Sequence, residues 1–221
     1  MKNILLSLTL AAGTLVASAQ TMIIPKAGLT LSSIVFANEQ KIKPGFNGGL
    51  AVVFTLNEEL AIQPEVQFIQ KGCKTSTAEG DSKLTLNYLD LPILLKASLG
   101  ADRLKFFVNA GPYVGIGLGG KSTGKVTISH NGVTEVVDVE LKVRFSGRNS
   151  GSDGSGFNRF DFGLQVGGGA VIANSVLIDL RYGLGLSPLL EKNDGTTSEF
   201  AKNKNSVFQF TVGVPIVLKK K

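Results

Sequence analysis

Beyond its first twenty residues the chain alternates apolar residues with small or polar ones, and it does so in eight separate segments. They lie near residues 25–36, 45–56, 60–71, 84–97, 104–118, 158–173, 175–187 and 206–218. A period of two sends successive side chains to opposite faces, so each segment predicts a strand with one apolar face. In the fifth, Phe106, Val108, Ala110, Pro112, Val114, Ile116 and Leu118 share a face. Lys105, Asn109, Gly111, Gly115 and Gly117 share the other, with Phe107 and Tyr113. The seventh sets Val176, Ile178, Leu180, Tyr182 and Leu184 against Asp179, Arg181, Gly183 and Gly185.

Alternation alone fits a soluble sandwich as well as a barrel; the connections separate the two. In chain order they run long, short, long, short, long, short, long. The short ones are Asn57-Glu58-Glu59, a turn around Gly100-Ala101-Asp102, and Ala173-Asn174. The long ones span 37–44, 72–83, 119–157 and 188–205 and are rich in Gly, Ser, Asn, Asp and Lys. An even strand number with every long connection at one end is the arrangement of an outer-membrane barrel, whose short turns lie in the periplasm. The expected fold is therefore all-β: an eight-stranded antiparallel up-and-down transmembrane β-barrel with long extracellular loops. Within the third long loop, Lys125–Ser129 and Val133–Phe145 alternate around His130-Asn131-Gly132, and Asn-Gly predicts a projecting β-hairpin. Ser146 to Gly156 reads as its flexible return.

The beginning of the chain reads as a processing signal. Lys2 precedes an apolar core from Ile4 to Val16, and Ala17-Ser18-Ala19 has the small-x-small pattern of a cleavage site. Residues 1–19 are thus expected to be a signal peptide and 20–221 a single outer-membrane barrel domain, placing the protein in the cell outer membrane. No later segment holds the 18 consecutive apolar residues of a membrane helix. One cysteine, Cys73, excludes an internal disulfide framework in an exported chain. A soluble exported barrel holding an apolar ligand is the competing architecture; it would turn the apolar face inward.

The segment Asn87-Tyr88-Leu89-Asp90-Leu91-Pro92-Ile93-Leu94-Leu95-Lys96 resembles a signature strand of the outer-membrane β-barrel family typical of Bacteroidota, which includes the PorT-like proteins. Gln63-Pro64-Glu65-Val66-Gln67-Phe68 before it, and Phe107-Val108-Asn109-Ala110-Gly111-Pro112-Tyr113, Phe160-Asp161-Phe162-Gly163 and Leu180-Arg181-Tyr182-Gly183 after it, stand in the order the resemblance expects. It covers nearly the whole chain after residue 20. The resemblance implies a location more than an activity. Its PorT-like branch implies an association with protein secretion across the outer membrane.

With the apolar face toward lipid, the strand phases send Glu65, Asp90, Lys96, Lys105, Arg159, Asp161, Asp179 and Arg181 into the lumen. Four acids and four bases in a closed interior are tolerable when paired, so they are expected to form a salt-bridge network that plugs the barrel. A catalytic site is not expected. The only histidine, His130, sits in the predicted hairpin turn beside Ser129, and adjacency in sequence does not make a triad. One Cys and one His do not build an ordinary zinc site. Gly115-Ile116-Gly117-Leu118-Gly119-Gly120 lacks the strand-turn-helix context of a nucleotide loop. The expectation is a non-enzymatic protein with no cofactor and no metal. Its expected partners are outer-membrane lipid and either a surface ligand or a secretion-machinery protein. The formal charge of +6 is scattered and does not indicate nucleic acid.

Overall fold

The computed structural model describes residues 21–35, 40–77, 80–101, 103–130, 133–146, 157–189 and 203–218. The expected signal peptide, residues 1–19, and most of the Ser146–Gly156 return lie outside them. Among the described residues nine long strands follow one another: β1 (Thr21–Val35), β2 (Lys43–Thr55), β3 (Leu60–Thr77), β4 (Gly80–Ala101), β5 (Leu104–His130), β6 (Val133–Val143), β7 (Phe160–Ile172), β8 (Val176–Gly185) and β9 (Lys204–Gly213). All but β6 form a ring. Neighbours in sequence pair antiparallel from β1 to β5 and from β7 to β9. The ring closes where β9 meets β1 and where β7 meets β5. This is the eight-stranded barrel the alternation predicts.

The faces are sorted the opposite way from a soluble protein. On β8, Leu180 is 56% exposed while Arg181 beside it is 3% exposed. Leu29, Val66, Leu95, Val108, Leu164 and Phe208 are exposed in the same way around the ring. Charged and amide side chains fill the inside. An apolar belt with every strand edge paired suits hydrocarbon, where no solvent meets a free backbone group. It also excludes the barrel with an apolar interior.

Local chemistry sets the turns. At one end Asn57 Oδ1 accepts the backbone N–H groups of Glu59 and Leu60 at 3.0 and 2.7 Å, closing the β2–β3 turn. The β7–β8 turn puts Ala173 and Asn174 at φ of 49° and 52°, the twist that a right-handed strand pair needs. Ser175 N–H donates to the Ile172 carbonyl across it at 2.9 Å.

The strands at the other end run further than alternation indicates. Residues 72–77 and 80–83, read from sequence as loop, continue β3 and β4 and pair in register from Gly72↔Thr85 to Thr77↔Gly80. β5 likewise passes residue 118 without ending and reaches 27 residues. Only ~9–11 residues of a tilted strand cross the hydrocarbon, so more than half of β5 stands beyond it. There it pairs with β6 from Gly120↔Val143 to His130↔Val133. Apolar-polar periodicity fades where lipid ends, but backbone pairing does not. Gly119 marks the change: its φ is 151°, beside the register shift at Asn87/Tyr88. A bulge there re-aims the strand, and a side chain at that φ is strained.

The lipid face is directly testable. Leu180→Arg is expected to cost about 2–4 kcal/mol, the penalty for a cation near the bilayer midplane. Reversible urea unfolding of the barrel in phospholipid vesicles measures it.

Candidate functional site

The lumen is built in tiers. Nearest the short turns, an apolar layer of Ile24, Ala51, Val53, Ala61, Phe107 and Leu177 closes around the inner wall. Above it stands the first charged cluster. Glu65 accepts Lys26 Nζ at 2.6 Å and both Arg181 terminal nitrogens at 2.9 and 3.1 Å. Arg181 also grips Asp179, two positions away on the same face of β8. Asn109 Nδ2 donates to Asp179 at 3.3 Å, and Gln63 Nε2 to Glu65 at 2.6 Å. The guanidinium fork thus bridges carboxylates from β3 and β8 and ties opposite parts of the ring together.

An amide tier follows. Gln209 Oε1 on β9 accepts Asn47 Nδ2 at 2.9 Å and Gln67 Nε2 at 2.6 Å. Asn47 also reaches Thr211 Oγ1 at 3.3 Å. The second charged cluster lies beyond, centred on Lys71, whose ammonium meets Asp90 at 2.8 Å and Asp161 at 2.9 Å. Tyr113 and Asn205 donate to Asp161 as well, at 3.2 and 3.0 Å. The ammonium sits 4.5 Å from the Tyr113 ring centroid and 4.8 Å from that of Tyr88, adding cation–π attraction. Glycine makes room for this: a Cβ on Gly163 would overlap the Tyr113 ring. An apolar lid then closes the interior, with Ile34, Ile69, Cys73, Leu86, Tyr88, Val143, Leu189 and Val207 buried together. Phe145 and Phe157 pack on it, and Tyr88 meets Phe145 edge-on.

Of the residues that strand phase assigns to the lumen, Glu65, Asp90, Lys96, Asp161, Asp179 and Arg181 are all buried. They fall into the two clusters above, except Lys96. Lys105 is only half-buried and lines the mouth at the short-turn end. Arg159 is a correction: it is exposed, outside β7, and its backbone carbonyl accepts Gly117 N–H at 2.7 Å. Strand phase puts it in the lumen only if β7 begins before it, and β7 begins at Phe160. Three buried cations escaped the sequence reading: Lys26, Lys43 and Lys71. The signal was there, because Lys71 is in phase with Glu65 and Gln67, but at the end of its segment. Outside the apolar belt, hydrogen bonds from Lys74 and Ser76 hold the Asp81 carboxyl below its ordinary value. Among the described residues no group of three His, Cys, Asp or Glu side chains gathers to hold a metal.

A Glu65→Gln change leaves Arg181 and Lys26 short of their shared charge in the interior. It is expected to cost about 3–5 kcal/mol, whereas adding Lys26→Met, which leaves Arg181 paired with Asp179, recovers most of the loss. Equilibrium denaturation of the refolded variants distinguishes the two.

A family model described as the outer membrane protein beta-barrel domain matches residues 6–191. No curated protein matches the sequence. Among solved structures, Ail, the attachment invasion locus protein of Yersinia pestis, is similar at 15% identity, over 89% of this chain and 99% of that one, with a TM-score of 0.42. Neisserial surface protein A is 10% identical over 88% of this chain and 96% of its own, with a TM-score of 0.40. The outer membrane enzyme PagL is 12% identical over 87% and 99%, with a TM-score of 0.42.

Proposed function

This chain belongs to the outer membrane protein β-barrel domain family, and from that premise we propose that it is a non-enzymatic barrel with a plugged lumen, presenting its long connections at the cell surface for structural or binding roles. The observation that carries the reading is the filled cross-section. Arg181, Glu65 and Lys26 join across one level, Gln209, Asn47 and Gln67 across the next, and Lys71 with two aspartates across a third. Breaking such pairs to admit a solute leaves charges unpaired in a dry interior, so the network favours a closed state. An eight-stranded barrel has a cross-section that side chains alone can fill.

What remains free to vary is the end with the long connections. In this reading residues 1–19 are a cleaved signal peptide, the short turns face the periplasm, and the β3–β6 extension stands outside the cell. The pairing of β5 and β6 stiffens the extension, so a partner meets a preformed sheet. The single histidine, His130, lies at its tip opposite Val133, remote along the strand from the lumen carboxylates. That separation favours binding over hydrolysis.

The second reading is an accessory component of an outer-membrane secretion or transport machine. The likeness of Asn87–Lys96 to a strand of the Bacteroidota outer-membrane barrel family, which includes the PorT-like proteins, favours it. The two readings differ by partner. Cross-linking in intact membranes followed by recovery of the barrel is expected to yield surface ligands; stable recovery with secretion proteins selects the second reading instead. The plug is tested separately: the pure protein in planar bilayers is expected to give no stepwise conductance, and reproducible steps would refute it.

A further inference from the structure

Lys96 is buried like the other lumen cations, with 6% exposure, but it is paired differently. Lys26, Lys71 and Arg181 each hold a carboxylate. Lys96 makes no hydrogen bond and has no carboxylate oxygen within ion-pair distance among the described residues. The acids nearest its tier are already engaged, Asp179 by Arg181 and Asn109, Glu65 by Lys26, Arg181 and Gln63. What the ammonium has instead is the face of Phe107, 3.9 Å from the ring centroid. A ring face attracts a cation without accepting any of its three N–H donors as a carboxylate does.

Those donors border a cavity. A space of about 640 Å³ opens at the short-turn end of the barrel, and Lys96 lines it together with Met22, Ile24, Val53, Lys105 and Pro215. Its lining thus combines apolar side chains with two lysines. The acids at this mouth, Glu58 and Glu59, stand in the exposed β2–β3 turn at its rim. A concave, partly apolar space with a few convergent polar groups is the ordinary form of a small-molecule site. Here the converging groups are cations, one of them desolvated and short of acceptors. A charge-assisted bond to an anion is the interaction that such a group gains most from.

We propose that this cavity is a binding site for an organic anion entering from the short-turn end, its carboxylate on the Lys96 ammonium and its apolar body along Met22, Ile24 and Val53. Lys105 adds a second positive charge nearer the mouth. The site is independent of the surface-loop reading above, because it lies at the opposite end of the barrel and uses none of the long connections.

The test uses the full chain refolded in lipid nanodiscs and 4-fluorobenzoate as the probe, followed by fluorine NMR against empty nanodiscs to remove partition into lipid. Saturable binding of the benzoate is expected, with none from the neutral 4-fluorobenzamide. Lys96→Met and Lys96→Gln are each expected to weaken binding at least about tenfold, while both variants keep the heat-dependent gel mobility of the folded barrel. Three results overturn the site: no saturable binding beyond empty nanodiscs, equal binding of the amide, or unchanged affinity in either folded Lys96 variant. The amide comparison is made on the unaltered chain, so the proposal stays refutable even where a variant fails to fold.

Discussion

A backbone N–H or C=O left unpaired in hydrocarbon costs several kcal/mol, and the pairing of β5 with β7 is where this chain meets that constraint. Thirteen register positions, from Phe160↔Ile116 to Ile172↔Leu104, join strands separated by the whole β6 excursion. With β9 held on β1 at the other seam, no strand of the ring keeps an open edge in the apolar belt. Every other feature of the molecule is arranged around that closed wall. The residues beyond the belt are released from it, and there alone β6 can pair on one side only.

Closure fixes where charge can go. Once alternate side chains point into a narrow lumen, the polar half of each strand must satisfy itself. The structure does so by sharing carboxylates: Glu65 serves Lys26 and Arg181, and Asp161 serves Lys71, Tyr113 and Asn205. Sharing also links strands distant in sequence, since Arg181 and Glu65 are 116 residues apart. Such pairs contribute little net stability against an apolar substitute of the same shape. Their effect lies in register: a one-residue slip of β3 or β8 would turn Glu65 or Arg181 into lipid.

The two ends of the barrel consequently differ in kind. The long-loop end is sealed by an apolar lid under Phe145 and Phe157 and extends into a paired sheet. The short-turn end stays open as a basin lined by Lys96, a buried lysine that pairs with no carboxylate among the described residues. In the proposed readings, recognition at the first end depends on loop and sheet surface, and at the second on a cation inside the barrel wall.

Period-two alternation, together with the sorting of long and short connections to opposite ends, determined the eight ring strands, the antiparallel meander and the inside-out faces, because lipid and lumen impose opposite demands on successive residues. The same phase put Glu65, Asp90, Asp161, Asp179 and Arg181 inside before any pairing was visible. It did not show where strands end. Residues 72–77 and 80–83 lost their alternation on leaving the apolar belt yet kept their backbone partners, and Arg159 was placed inward by a phase that starts one residue after it. Nor could it show which charge meets which, since those pairs join strands that touch only when the ring closes. That Lys26, Lys71 and Arg181 find carboxylates while Lys96 finds the face of Phe107 was decided by tertiary structure alone: a pairing across the lumen depends on the stagger of eight strands, which no single strand encodes.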